Sequence, residues 1–189
     1  MISPIPISPP LTPEMVQPLR AGDIVLLSGT IYTARDAAHQ RLADTLAAEQ
    51  ELPIALEGQI IYYVGPAPAR PGEIIGPAGP TTAGRVDLLT PQLLARGLKG
   101  MIGKGKRSPA VRRAMQEHGA VYFVLVGGAA ALIAERIKKV KVVAYHDLAT
   151  EAIHRLEVED LRLIVANDIH GGDLFEQGKA AYRRAEAFL

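Results

Sequence analysis

Three segments far apart in the chain each place a cation beside glycines or hydroxyls: Thr33 and Arg35 in "TIYTARDAAH", Thr81, Thr82 and Arg85 in "GPTTAGRVD", and Lys104 between Gly103 and Gly105 in "GMIGKGKRS". A guanidinium grips a carboxylate with a planar fork, and an ammonium adds a point charge without that planar demand. Two arginines, a lysine and nearby hydroxyls are what a small dicarboxylate needs. The stretch "GPAGPTTAGRVDLL" is also stiff, because Pro77 and Pro80 fix φ where they stand while Gly76, Gly79 and Gly84 permit sharp bends.

Other motifs point elsewhere less well. "GLKGMIGKGKRS" has glycines and cations ahead of a helix start, but five residues separate Gly97 from Gly103 and no Ser or Thr follows Lys104, so it fails the Walker spacing. What survives is an anion site built from glycines, a lysine and a helix N-terminus, with a solvated basic turn as the bland alternative. Arg35 and His39 are four apart and share a face once a helix has begun; the plainer reading makes Asp36 an N-terminal helix acid and His39 a partly buried histidine. Glu151 and His154 have metal-like spacing, yet no second pair accompanies them and Glu157, Glu159 and Asp160 read as a solvated edge, so a metal is rejected. No Gly-x-Ser-x-Gly elbow is present, and nothing pairs a serine with a base.

These side chains must be positioned by the elements around them. "IVLL" from Ile24 is an apolar strand that passes Ser28 and Gly29 and becomes helical at about Asp36, which puts Thr33 and Arg35 where a strand feeds a helix. "ALEGQIIYYVGPA" reads as a second strand ended by Gly65 and Pro66, and Pro91 opens a helix after the Pro-rich loop. Met101 and Ile102 suggest a short strand, and Ser108-Pro109 starts a helix closed by Gly119. Then come the strand "AVYFVLVGG", the helix "AAALIAERIKKV", the strand "KVVAYHD", a last strand "LRLIVANDIHGG" and the C-terminal helix "DLFEQGKAAYRRAEAFL". Strands alternating with helices predict a layered α/β domain with a partly parallel sheet. Residues 2–13 alternate proline with Ile, Ser and Leu and suit an extended arm, so residues 1–20 are set apart as a Pro-rich N-terminal arm from a domain at 21–189.

Composition narrows the functions. The chain has 189 residues, 48% hydrophobic and 22% charged, with a net charge of +1, which gives no reason to invoke nucleic acid. It has no cysteine, so it offers no disulfide, no thiol nucleophile and no thiolate for an iron–sulfur cluster. No stretch approaches a membrane span, and "MISPIPISPPLTPEM" lacks a basic leader with a continuous apolar core. A soluble cytoplasmic protein is expected.

The segments "GDIVLLSGTIYTARDAAHQRL", "IYYVGPAP", "GPAGPTTAGRVD", "GMIGKGKRS" and "EAIHRLEVEDLRLIVANDIHGGDLF" resemble, in this order, the β subunit or C-terminal domain of class I fumarases and L-tartrate dehydratases, which are iron–sulfur-dependent hydro-lyases. The resemblance implies a swivelling β/β/α fold. It implies a 4Fe-4S cluster held by a partner α subunit, in keeping with the missing cysteines, a heterotetramer, and activity only with that partner. It further implies that Arg35, Thr82, Arg85 and Lys104 bind the substrate's carboxylates and that Thr81 is the base at the reacting carbon. Thr82 stands as the alternative to Thr81, and Lys106 to Lys104. The implied reaction is reversible hydration of fumarate to (S)-malate, with L(+)-tartrate dehydration as the alternative and a non-catalytic anion-binding or assembly module as the alternative of another class.

Overall fold

A computed structural model describes residues 3–183. Five strands run parallel side by side: β1 (Ile5–Ile7), β2 (Ile24–Thr33), β3 (Ile60–Tyr62), β4 (Gly100–Gly103) and β5 (Val121–Val124). Two antiparallel strands complete a sheet of seven, β6 (Ile137–Ala144) and β7 (Ile153–Asn167). The expected α/β class and partly parallel sheet hold. β7 does more than end the sheet, because it pairs with β2 from Ile24 to Tyr32 and with β5 at Tyr122 to Val124. The pairings β2–β3–β4–β5–β7–β2 therefore form a closed ring, which leaves those strands no free edge.

Alternation along the strands sorts side chains into two cores. Ile60, Tyr62, Ile102, Val121 and Phe123 enter one, which also receives Ile7, Leu11, Val16 and Leu19 from the N-terminal segment. Ile61, Tyr63, Met101 and Tyr122 enter the other. Three helices cover that second face: α2 (Asp36–Ala47) with Ala38 and Leu42, α3 (Thr90–Leu94) with Leu93 and Leu94, and α4 (Pro109–His118) with Val111 and Met115. Each large apolar side chain so buried contributes about 1.5–3 kcal/mol. Strands buried on both faces explain the continuous apolar runs in the sequence.

The helix signals near the site are where the sequence puts them. α2 starts at Asp36, and α4 has Ser108 as N-cap, its Oγ accepting from Val111 N at 3.3 Å, with left-handed Gly119 at the other end. The extended residues expected at the N-terminus take the form of edge strand β1, followed by a short helix α1 (Pro13–Val16), and Ile7 and Leu11 are buried. Two other readings are corrected. The helix expected over "AAALIAERIKKV" ends at Glu135, and β6 begins at Ile137, because pairing of this Ile/Val-rich stretch with β7 outweighs its weak helix propensity. The last strand, expected from "LRLIVANDIHGG", already begins at Ile153, so "EAIHRLEVED" supplies the first half of β7 between β2 and β6 and buries Leu156 and Val158, while Glu159 and Asp160 are exposed as expected. Of the C-terminal helix, Leu174–Tyr182 is formed and residues 184–189 lie outside the described ones.

Candidate functional site

Parallel strands deliver their loops to one end of a sheet, and in α/β folds, open or closed, ligands bind at those carboxyl ends. Arg35 follows β2, Lys104 follows β4, and the loop from Thr81 to Arg85 is hydrogen-bonded over the end of β3. That last contact is local and specific. Thr81 N and Thr81 Oγ1 both donate to the Tyr63 carbonyl, at 2.8 and 2.9 Å. Lys104 N donates to Thr81 O at 3.0 Å and Ala83 N to Lys104 O at 2.9 Å, so Thr82 and Lys104 form a parallel bridge that prolongs β4. Gly103 allows this approach, since a Cβ there would lie 2.9 Å from Tyr63 Cδ2 and 3.2 Å from Ala83 Cβ.

The two arginines meet at a carboxylate. Asp36 Oδ1 is 2.9 Å from Arg85 Nε, and Asp36 Oδ2 is 3.5 Å from Arg35 Nε. Glu151 Oε1 is 3.6 Å from Arg35 Nη2, while its Oε2 accepts from Ala37 N at 2.9 Å and so caps α2, whose own N-cap residue offers no side-chain acceptor. Gly65 gives Arg35 its path, because a Cβ at that position would sit 2.7 Å from Arg35 Nη1. Arg35 is mostly enclosed, at 21% side-chain exposure, whereas Arg85 at 54% is open and its two terminal nitrogens have no hydrogen-bond partner among the described residues.

Thr33, by contrast, does not enter the site. It is fully buried, its hydroxyl donating to Ala152 O at 3.2 Å and accepting from His154 N at 2.9 Å. His154 Nδ1–H donates to the Ala152 carbonyl at 2.9 Å, so Glu151 and His154 are both occupied in holding the backbone. His39 is fully buried rather than partly so. Its Nδ1–H donates to the Arg35 carbonyl at 3.1 Å, its ring meets Tyr63 edge-on at 5.2 Å, and burial pushes its pKa down to about 4.

The "GKGKRS" turn divides its cations. Lys104 is exposed and has no ion-pair partner among the described residues. Lys106 pairs with Glu176 of the C-terminal helix, and that hydrogen bond raises its pKa. Arg107 is buried between the rings of Tyr63 and Tyr122, each centred 5.2 Å from its guanidinium carbon, and donates to Thr90 Oγ1 at 2.8 Å. The anion site expected at the N-terminus of α4 is not free, because Asp87 Oδ2 accepts from Ser108 N there. Sequence reasoning missed Asp36, Asp87 and Arg107 as parts of this region; the lone "RVD" and "KRS" pairs carry no local sign that they meet.

The site lies on an open face. Grooves of about 530 and 350 Å³ run elsewhere, past Arg70, Ile74, Pro77 and Lys138 and past Pro68, Val142 and His154, and none of Arg35, Thr81, Thr82, Arg85 or Lys104 lines them. A small ligand held by these five residues needs a second surface to exclude water from it. Among the described residues no helix is long and apolar enough to cross a membrane.

An α/β domain with a cationic, hydroxyl-bearing cluster at the carboxyl ends of its parallel strands is the class that fold and geometry define. The chain belongs to the Fumarase C-terminus family, whose model matches residues 3–178. It is 42% identical over 153 residues to the anaerobic class I fumarate hydratase of Escherichia coli K12, a match that covers 80% of this chain and 28% of that enzyme. With mitochondrial fumarate hydratase 1 of Leishmania major it shares 39% identity over 170 residues, 87% of this chain and 31% of the relative. A chain of Methanocaldococcus jannaschii assigned as an L(+)-tartrate dehydratase subunit beta is 35% identical over 186 residues, 95% of each. The chain thus spans under a third of these two fumarate hydratases and nearly the whole of the tartrate dehydratase subunit.

Proposed function

We propose that this chain is the β subunit of a heteromeric hydro-lyase that interconverts fumarate and (S)-malate and is active only with its α subunit. The observation that supports this most is that the segments of Arg35, Thr81 to Arg85 and Lys104 adjoin one another at one end of the parallel strands, Arg35 and Arg85 through Asp36 and the Thr82 and Lys104 backbones through a parallel bridge. The chain's own residues do not fit an iron–sulfur cluster: it has no cysteine, and the described residues include no group of three or more His, Asp or Glu able to hold a metal. The 4Fe-4S cluster of the reading is assigned to the α subunit.

What this chain contributes is binding and proton transfer. Arg85 presents its terminal nitrogens to one carboxylate, Arg35 and Lys104 neutralise the other, and Thr82 stands beside them. Thr81 donates a hydrogen bond to the Tyr63 carbonyl, which orients its oxygen; to take the substrate's C–H proton it must first release its hydroxyl proton to water, since the carbonyl cannot accept it. A threonine hydroxyl is a weak base. Arg85 and Lys104 favour the alkoxide electrostatically, and only stabilisation greater in the transition state than in the ground state raises kcat.

The match to the tartrate dehydratase subunit over 95% of both chains supports L(+)-tartrate as a second reading of the substrate. The test is to reconstitute the chain with an α subunit under anaerobic conditions and assay fumarate, malate and L(+)-tartrate. Turnover of fumarate and malate well above that of tartrate is expected. Preference for tartrate reverses the substrate assignment, and turnover by the chain alone, or none with the partner, overturns the proposal.

A further inference from the structure

We propose that Asp36 is a positioning residue shared by both arginines, the group that makes two separate cations into one dicarboxylate-reading pair. This rests on the reading above for its role in substrate binding, though not for the geometry itself. Asp36 is the first residue of α2, where the helix dipole favours a carboxylate. Its Oδ1 holds Arg85 Nε at 2.9 Å and its Oδ2 faces Arg35 Nε at 3.5 Å. Arg35 Nε is buried with no hydrogen-bond partner among the described residues, and the Asp36 carboxylate, 3.5 Å away, offsets its charge.

The choice of atom matters. A carboxylate that took the Nη pair of Arg85 would compete with substrate, whereas Asp36 lies against Nε, and neither terminal nitrogen has a hydrogen-bond partner among the described residues. Arg35 is restrained on two sides, by Asp36 and by Glu151 at 3.6 Å from Nη2, with Gly65 lying against Nη1. Because Asp36 and Glu151 both sit at the N-terminus of α2, the helix becomes the ruler that sets Arg35 against Arg85. The two carboxylates also offset two of the three cations, which limits repulsion among Arg35, Arg85 and Lys104.

The geometry is read in the full chain from its arginine Nε–H signals by ¹⁵N NMR, assigned with Arg35→Lys and Arg85→Lys. Asp36→Asn should shift both signals and speed exchange of the Arg85 Nε–H, the closer of the two contacts, by about tenfold, the size of one lost charge-assisted contact. Glu151→Gln should move Arg35 alone, and Asp36→Glu should restore at least the Arg85 signal. A shift of one arginine only in Asp36→Asn, in a variant with a native-like dispersed spectrum, overturns the sharing. In the complex with the α subunit, Asp36→Asn should raise KM about tenfold with kcat changed far less, as lost ground-state orientation requires. Unchanged KM overturns the positioning role. If both signals move while the unsubstituted complex turns over none of the three acids, the hydro-lyase reading fails and the shared carboxylate stands.

Discussion

Arg107 Nε lies 2.9 Å from Asp87 Oδ1, and this buried pair ties the loop of Lys104 to the loop of Thr81 and Arg85. Asp87 is two residues after Arg85, and Arg107 three after Lys104. The Arg107 side chain has no exposure and Asp87 12%. Desolvating two charges is costly, so removing one partner leaves the other buried and uncompensated, at about 3–5 kcal/mol. Asp87→Ala and Arg107→Ala should each lower Tm by roughly 6–20 °C in thermal denaturation, given about 2–4 °C per kcal/mol at this chain length. The double variant should lose less than the sum of the two. Additive losses would mean that the pair is not coupled.

Arg85→Lys keeps the charge and discards the planar fork. With Asp36 already on Nε, the two terminal nitrogens are the part the reading gives to substrate. In the reconstituted complex both KM and kcat should worsen, the specificity constant falling roughly tenfold to hundredfold. Thr81→Ala should lower kcat far more than KM. Near-normal kcat in Thr81→Ala removes it as the base.

Lys104→Ala should weaken substrate binding more than Lys106→Ala, because Lys106 is committed to Glu176 and Lys104 has no such partner among the described residues. Losing a charge-assisted contact costs about 1.5–3 kcal/mol, whereas an exposed ion pair such as Lys106–Glu176 contributes little. Kinetics of both variants decide between them, and a larger defect in Lys106→Ala reverses the assignment.

Gly103→Ala tests the seam between β4 and the Thr81 segment. The added methyl would sit 2.9 Å from Tyr63 Cδ2, 3.2 Å from Ala83 Cβ and 3.3 Å from Thr81 O, and overpacking of this kind costs about 1–3 kcal/mol. Both stability and activity of the complex should fall, with Gly105→Ala as a contrast: its neighbour Thr82 Cγ2 is 3.7 Å away, and its φ of +81° supplies the strain instead. Wild-type stability in Gly103→Ala would show that the loop does not need this close approach.

His39 makes stability depend on pH. Its folded pKa is lowered to about 4 from 6.5, mainly by burial, so between those values the unfolded chain binds more protons than the folded one. Stability is then fully present above pH 6.5 and is lost as pH falls toward 4, by an amount on the order of 3 kcal/mol. Denaturant unfolding across that window should show this loss in the wild type and a shallower slope in His39→Gln. Equal slopes would assign the pH dependence to other groups.

The sequence by itself determined the elements and where the reactive side chains fall along them. Ser108, Pro109 and Gly119 bound α4 through local cap chemistry, and the apolar run Ile24–Leu27 and the turn before Asp36 place Arg35 between strand and helix. Such signals lie within a few residues of what they specify. The segments of Arg35, Thr81 to Arg85 and Lys104 were legible for the same reason, each a compact run of glycines, hydroxyls and a cation.

Tertiary structure decided how those segments meet. β7 closes the sheet through pairing with β2, more than a hundred positions earlier in the chain, and the same long-range pairing ends α5 (Ala130–Glu135) and starts β6 at Ile137. Asp36 reads locally as a helix-start acid, and only folding brings Arg85 to its Oδ1. Arg107 reads as one cation among three in a basic turn, yet it is buried because Asp87, Tyr63 and Tyr122 enclose it. Charge and burial of a side chain depend on what packs around it, and those neighbours come from other strands. Local sequence therefore specifies the pieces, while the ion pairs that aim them exist only once the sheet has closed.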